Sequence, residues 1–399
     1  HEAAFADKVA GGRDWTVLDT ESAYARFRDA AESTDPARDR RGNEPIVLMY
    51  TSGTTGRPKG VCISHRNLYY TMRMAGEVWG FSARSTNLVA MPLFHIGGLG
   101  YGLMAISQGG HTVLLAQAAP DAVMEAFRTY PVTHAFFVPS VIQLLIDAPG
   151  LDTGVFRHLE RIVYGAAPIP EVLLQRAFDV FGCGFNHAYG MTETAGTVIT
   201  LHPAEHEPGT ERAYRLASCG RPVPWVEISI RDPVTQAPVT PGEIGEVWIK
   251  SPMVTSGYWN NAAETAAAVT ADGWLRSGDA AQQDADGYVY LRDRYKDVII
   301  SGGENIFPAE VENVLLQLPE IAEAAVIAAP HPKWGETARA CLVMRPGTRL
   351  DPAAVTAYCR ERLAHYKCPT LYTELAALPR NASGKVLRRE LRAQMQGSG

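Results

Sequence analysis

The sequence predicts an α/β protein. It has a large, multi-layered, mostly parallel α/β domain with a small antiparallel, β-barrel-like part, and a smaller α+β domain at the C-terminus. Three observations predict this. From residue 46 to about 200, short apolar runs alternate with helical patterns, as in strand–helix units wound around a parallel sheet. From 215 to 292, strand-like runs are divided by Pro, Gly and Asp with few helical stretches between them, which suits a small antiparallel unit. After the charged segment Asp293-Arg294-Tyr295-Lys296-Asp297 a compact α+β pattern begins. The chain's 399 residues exceed one ordinary core. We expect residues 1–293 to form the large domain and 294–399 the small one.

Residues 1–45 are mixed, with a polar Ser33–Asn43 segment that reads as a loop. Ile46-Val47-Leu48-Met49-Tyr50 reads as a buried strand. The parallel region offers strands at Asn87–Met91, Thr112–Leu115, His134–Val138, Arg161–Tyr164 and Phe185–Ala188, with helices such as Asp121–Thr129 and Glu171–Phe181 between them. The antiparallel unit offers Val226–Ile230, Gly245–Lys250 and Tyr288–Leu291. The last region offers strands at 298–300 and 324–329 and helices at 308–317 and 352–364.

Composition excludes several classes. Hydrophobic residues make up 46% and charged residues 20%, which is globular usage. A net charge of −6 argues against a nucleic-acid partner held by a basic surface. The six cysteines show no CxxC spacing, so neither a zinc site nor a disulfide framework is suggested. A reducing cytoplasm fits them best. No apolar run reaches membrane-spanning length.

Residues 51–60, Thr-Ser-Gly-Thr-Thr-Gly-Arg-Pro-Lys-Gly, are the most informative stretch. Glycines let backbone N–H groups turn toward an anion, hydroxyls donate to phosphate oxygens, and Arg57 and Lys59 add positive charge. With a strand before it and a helical stretch from Asn67 after it, the loop has the setting of a polyphosphate site. It is not a Walker A loop, because Lys59 precedes Gly60 rather than Ser or Thr. Its bland reading is a surface loop of small residues.

Later segments each carry a chemical and a bland reading. Gly165-Ala166-Ala167-Pro168 leaves a slot suited to a flat base, or is a plain strand-to-helix turn. In Tyr189-Gly190-Met191-Thr192-Glu193, placed after a strand, an aromatic can stack, Thr can bind phosphate and Glu can hold Mg2+; Thr192 could instead cap a helix. Ser277-Gly278-Asp279 puts a carboxylate in a tight turn, able to accept from two ribose hydroxyls, and Arg294 follows fifteen residues on. Gly302 and Gly303 allow close backbone approach or form a bulge. Lys385 ends an Asn-Ala-Ser-Gly-Lys turn and by itself is an ordinary surface cation.

With all of these in order, from about Ile46 to Arg392, the chain resembles the adenylate-forming superfamily of acyl-CoA synthetases, carrier-protein-loading adenylation domains and luciferases. The resemblance implies a two-step reaction using ATP, Mg2+ and coenzyme A. A carboxylate attacks the α-phosphorus of ATP, giving acyl-AMP and pyrophosphate, and a thiol then displaces AMP. It implies that Thr51, Ser52, Gly53, Thr54, Thr55, Gly56 and Lys59 bind the β- and γ-phosphates. Tyr189 and Gly190 would form one wall of the adenine slot and Gly165, Ala166 and Ala167 the other. Thr192 would bind the α-phosphate, Glu193 Mg2+, and Asp279 with Arg294 the ribose. Lys385 would contact carboxylate and α-phosphate during adenylation, Lys296 would be the hinge of a mobile C-terminal domain, and Gly302 and Gly303 would line the pantetheine path. His95 would lie near the reacting carboxylate, and Gly97, Gly98, Gly100 and Gly102 would leave room for a chain-like or aromatic acyl group.

A fatty acid is the first expectation for the substrate and an aryl carboxylate the second. Free coenzyme A is expected as acceptor, since Gly302–Glu312 is similar to the acyl-CoA ligase version of that region. A homodimer is compatible with the sequence. The rival classes are a luciferase-like oxidation of the adenylate and a nucleotide-binding fragment without turnover. Family members carry a longer segment before the phosphate loop than the fifty residues found here, so an exposed apolar face is expected beside it.

Overall fold

The computed structural model describes residues 23–32, 42–51, 58–167, 169–380 and 386–396. The chain divides into two units, His1–Arg41 and Gly42–Gly399. In the first, Ala23–Asp29 form a short helix. The second holds four sheets among the described residues.

The first sheet is a hairpin of Pro45–Thr51 (β1) and Lys59–Ser64 (β2), paired antiparallel. Two expectations change here. The Gly-rich segment joins two strands, not a strand to a helix. The helix, His65–Glu77, starts only after β2, where the Ser64 hydroxyl accepts from the Asn67 N–H and the Asn67 side chain accepts from the Ser64 N–H. Nor is β1 buried. Met49 is 5% exposed, but Ile46, Leu48 and Tyr50 are 40%, 41% and 62% exposed. A run that is apolar on both faces buries only one of them in a two-stranded sheet whose other face meets no core.

The second sheet is built from Thr86–Val89 (β3), His111–Leu114 (β4), His134–Phe137 (β5), Arg161–Gly165 (β6), Gly184–Met191 (β7), Gly196–Leu201 (β8) and Arg221–Pro222 (β9). Its spatial order is β4-β3-β5-β6-β7-β8-β9. Strands β4 to β7 run parallel, and β8 and β9 are antiparallel additions. Helices cover both faces, as the alternating pattern requires. Helices Pro120–Thr129, Pro139–Ile146 and Glu171–Phe181 pack Val123, Phe127, Ile142, Leu145 and Leu174 against Leu88, Ala135, Phe137 and Ile162. On the opposite face, His65–Glu77 and Ile96–Ser107 pack Met74, Tyr101 and Met104 against Val89, Phe136, Val163 and Ala188.

The third sheet is a four-stranded antiparallel meander of Glu227–Arg231 (β10), Gly245–Lys250 (β11), Leu275–Gln283 (β12) and Val289–Arg294 (β13). It joins the parallel sheet through the Cys219 N–H to the Val289 carbonyl and the Val289 N–H to the Gly220 carbonyl, both 2.9 Å. The fourth comprises Ile299–Ser301 (β14), Glu304–Ile306 (β15), Ile321–His331 (β16), Gly335–Met344 (β17) and Leu371–Glu374 (β18). Helices Pro308–Leu315 and Pro352–Arg360 cover one face of this sheet. Leu391 of helix Arg388–Gln396 covers the other against Ala325, Ile327 and Cys341. Arg388 donates to Glu312 at 2.8 Å, fastening this last helix to helix Pro308–Leu315, and Arg392 donates to Asp297 at 2.8 Å, fastening it to the charged segment 293–297. No helix among the described residues is long and apolar enough to cross a membrane.

Three histidines are held neutral by burial. His134, His187 and His206 are each pushed down to about 4. In the unfolded chain they bind protons below about 6.5, whereas the fold resists protonation until about 4. The unfolded state therefore gains protons first, and stability falls as pH drops through that window. The urea midpoint should decline steadily from about pH 6.5 to 4.5; a midpoint flat across this interval would mean these imidazoles are not buried as neutral groups.

Candidate functional site

The site forms at the C-terminal ends of β6 and β7. Gly165 ends β6, and a Cβ there would lie 2.2 Å from the Ala188 carbonyl oxygen, so only glycine lets the strands come this close. Ala166 follows with φ +64°, a left-handed conformation uncommon for a residue with a side chain. Tyr189, Gly190 and Met191 belong to β7 itself rather than to a loop after it. A single 3-10 turn, Thr192–Thr194, then reverses the chain into β8. The Thr194 hydroxyl holds this turn, accepting from the Met191 N–H at 3.0 Å and donating to the Gly196 carbonyl at 2.6 Å. Thr192 is buried, while Ala166 and Ala167 are exposed.

Asp279 approaches from the meander. The Ser277-Gly278-Asp279 segment was expected in a tight turn; it is a bulge inside β12. Ala280 faces Glu246 and Arg276 faces Trp248, which leaves residues 277–279 opposite Val247 alone. Gly278 takes φ +71°, and its N–H donates to Glu246 at 2.9 Å. The extra residues turn the Asp279 carboxylate toward β7. Its Oδ2 accepts from the Tyr189 hydroxyl at 2.8 Å, and its Oδ1 forms an ion pair with Arg294 Nε at 3.0 Å. Arg294 is the register partner of Asp279 on β13. The Asp279 carboxylate raises the pKa of Arg294 against the opposing effect of burial. Burial, helped by the same carboxylate, raises that of Tyr189 well above the phenol range. The group is therefore a neutral phenol and an ion pair.

A second chain of contacts surrounds Glu193. Its Oε1 accepts from the Tyr258 hydroxyl at 2.9 Å. Lys59 lies 5.1 Å from the centre of the Tyr258 ring and forms an ion pair with Glu264. Segment 257–259 supports this by pairing with the free edge of β2: the Cys62 N–H donates to the Gly257 carbonyl and the Trp259 N–H to the Gly60 carbonyl. Sequence reasoning missed Tyr258 and Glu264. Lys59 and Glu264 are 205 positions apart, and no local periodicity links them.

His95 caps helix Ile96–Ser107, its Nδ1 accepting from the Gly97 N–H at 3.0 Å. Two of the glycines after it, Gly97 and Gly98, do not leave the expected room. A Cβ on Gly98 would lie 2.1 Å from the Pro92 carbonyl oxygen, one on Gly97 would lie 2.8 Å from the Phe136 ring, and one on Gly102 would lie 3.7 Å from Val89. At Gly97 and Gly98 the small size is used up by the Phe136 ring and the Pro92 carbonyl, whereas a Cβ on Gly102 would make only ordinary contact.

Other expected residues stand apart. Lys296 is exposed in the turn Tyr295–Asp297, and Gly302 and Gly303 make the β14–β15 turn with φ +61° and +92°. No hydrogen bond or ion pair among the described residues joins these three to the Tyr189 or Glu193 groups. Thr51 ends β1 opposite Lys59. Ser52, Gly53, Thr54, Thr55, Gly56 and Lys385 lie outside the described residues.

Comparison with known proteins finds matches along most of the chain. The signature of AMP-binding enzymes matches residues 5–259, and that of the AMP-binding enzyme C-terminal domain matches residues 310–385. A fatty acid–[acyl-carrier-protein] ligase, ScoC, from Streptomyces coeruleorubidus is 36% identical over 397 residues, covering 98% of this chain and 75% of its own. A feruloyl-CoA synthase from an Amycolatopsis species is 39% identical over 365 residues, covering 91% and 72%. Among solved structures, o-succinylbenzoate CoA synthetase from Bacillus subtilis with its acyl-adenylate intermediate superposes with a TM-score of 0.80 at 36% identity, covering 88% of this chain and 70% of its own. ATP-bound MatB from Rhodopseudomonas palustris gives 0.86 at 28% identity, covering 94% and 73%.

The seating of helix Ile96–Ser107 gives a direct test. Gly98→Ala forces a methyl into the Pro92 carbonyl and should destabilise the fold by about 2 kcal/mol, as overpacking against backbone does. Urea unfolding measures this; an unshifted midpoint would mean that the helix has slack.

Proposed function

We propose, for a chain that belongs to the AMP-binding enzyme family, that it is an acyl- or aryl-CoA ligase working through an acyl-adenylate. The reading is carried by the joining of Tyr189, Asp279 and Arg294 beside the Thr192–Glu193 turn. They meet at the carboxyl ends of parallel strands, where open α/β sheets bind ligands. In the first step a carboxylate oxygen of the acid attacks the α-phosphorus of ATP and the bond to pyrophosphate breaks. In the second, the coenzyme A sulfur attacks the acyl carbon, AMP leaves, and the thiol proton passes to solvent.

Each residue then has a task. Tyr189 offers its ring to adenine opposite Gly165, Ala166 and Ala167, with Gly190 beside it. Asp279 accepts from ribose hydroxyls, with Arg294 holding the carboxylate in place. Thr192 donates to the α-phosphate. Thr51, Ser52, Gly53, Thr54, Thr55, Gly56 and Lys59 hold the outer phosphates. His95 stands near the reacting carboxylate.

Glu193 is suited to Mg2+. Among the described residues no cluster of three or more His, Cys, Asp or Glu could hold a metal alone. Mg2+ is ordinarily held by one or two carboxylates together with substrate phosphates, so one carboxylate beside a phosphate site fits. When bound, the ion neutralises phosphate charge as pyrophosphate leaves. Lys385 joins the carboxylate and α-phosphate in the first step only. Residues 294–399 turn about Lys296 for the second, and Gly302 and Gly303 then line the thiol's path.

Fatty and aryl acids are the two classes for the acyl group, and coenzyme A is the acceptor. The relative named as a carrier-protein ligase makes a holo-carrier protein the acceptor to compare. The enzyme is assayed with ATP, Mg2+ and an acid panel, reading AMP release with each acceptor. No AMP release with any acid sinks the ligase reading; transfer to carrier protein alone replaces the acceptor.

Two variants test the roles. Lys385→Ala should abolish acyl-AMP formation yet largely spare conversion of supplied acyl-AMP to the thioester; equal loss in both half-reactions would remove the two-orientation scheme. Glu193→Gln should raise the Mg2+ concentration needed for half-maximal ATP turnover by about tenfold or more. Its affinity for AMP should move little, and an unchanged Mg2+ requirement would refute the assignment.

A further inference from the structure

The Asp279 carboxylate must be aimed if it is to meet two ribose hydroxyls at once. A carboxylate offers about four lone-pair positions. The Tyr189 hydroxyl occupies one on Oδ2, and Arg294 Nε lies 3.0 Å from Oδ1. What is left on each oxygen serves two neighbouring hydroxyls only over a narrow range of directions. The direction is set by the bulge 277–279. Neither Ser277 nor Gly278 has a register partner on β11 or β13. Ladder pairing therefore does not hold this stretch.

Side chains hold it instead. Within the bulge, the Ser277 hydroxyl accepts from the Asp279 N–H at 3.0 Å. From β11, Glu246 Oε1 accepts from the Gly278 N–H at 2.9 Å, where the backbone is left-handed. A carboxylate makes a stronger bond to a backbone N–H than a neutral acceptor does. Glu246 is itself aimed, because its Oε2 accepts from Trp248 Nε1 at 2.8 Å. Trp248 stands two residues along β11, on the same face as Glu246. It is 4% exposed, and the guanidinium groups of Arg231 and Arg276 lie 4.6 and 4.8 Å from its ring. Those cations are tied in turn, Arg231 Nε donating to Ser229 at 3.1 Å and Arg276 to Gln236 at 3.3 Å. The indole N–H thus keeps one heading, toward Glu246.

We infer that Glu246 is a positioning residue: it sets the aim of Asp279, and with it the preference for a nucleotide carrying both ribose hydroxyls. This rests on the ligase reading, which gives Asp279 the ribose. Glu246 acts through the Gly278 backbone and does not touch the nucleotide. Trp248, braced by its two arginines, fixes Glu246 in the same way.

The test is binding of AMP, 2′-deoxy-AMP and 3′-deoxy-AMP to the full chain by calorimetry, read as ratios of Kd. The intact protein should bind AMP about tenfold or more tighter than either analogue, because a site built for a hydroxyl is left unpaired without it. Glu246→Ala should bring both ratios to within about twofold of unity, by weakening AMP while the deoxy nucleotides hardly move. Trp248→Phe keeps a ring between the guanidinium groups and removes only the N–H. It should lower both ratios by about threefold, and it decides the matter if the alanine variant fails to fold. Unchanged ratios in the folded variant overturn the inference. Equal weakening of all three nucleotides also overturns it, since Glu246 then supports the fold alone. An intact protein that binds none of the three, or all alike, overturns it as well. AMP release from ATP with the acid panel is measured on the same samples. Its absence sinks the ligase reading while the ratios still judge Glu246, and its presence with flat ratios sinks only the inference.

Discussion

The site depends on one buried carboxylate. Asp279 is 7% exposed, and a carboxylate so far from water persists only when its oxygens are taken. Both are, by groups from two other strands. Tyr189 comes from the parallel sheet, Arg294 from the neighbouring strand of the meander, and Asp279 from the bulge between them. The three side chains therefore act as a rivet between two sheets. Removing Arg294 would leave the buried Asp279 carboxylate without its counter-charge, whereas removing Tyr189 would cost it only a neutral hydrogen bond.

The second polar chain works by compensation instead of burial. Glu193 is restrained by a neutral hydroxyl, that of Tyr258. Lys59 is held by Glu264, at the start of helix Ala262–Ala268. Both chains run through segments that pair with strand edges. In this way the fold carries side chains from residues 59, 193 and 258 to one place without a continuous element connecting them.

Much of this was legible in the sequence. The parallel strands appeared because short, largely apolar runs with helical stretches between them have few other uses, and helix Glu171–Phe181 was read to the residue. Tyr189, Asp279 and Arg294 were found as separate motifs, but their mutual contacts were not, since a bulge cannot be read from Ser-Gly-Asp alone. The strand at Ile46–Tyr50 was right in kind and wrong in burial. Hydrophobicity reports what a side chain prefers, not whether the second face of its sheet is covered. The glycines after His95 misled for a related reason. Glycine marks either open room or close approach, and only the position of Pro92 decides between them. Tyr258 and Glu264 were invisible because their partners lie 65 and 205 positions away.

The parallel sheet separates two hydrophobic cores that share no buried side chain. One, sealed by helices Pro120–Thr129, Pro139–Ile146 and Glu171–Phe181, contains none of the residues assigned to nucleotide or acid. The other holds Tyr101, Phe136, Val163 and Tyr189. Divergence can therefore proceed on one side of the sheet while the other preserves foldability. Such a partition lets an ancestral scaffold exchange acids through successive substitutions on one face, each tolerated because the stability reserve is stored on the reverse.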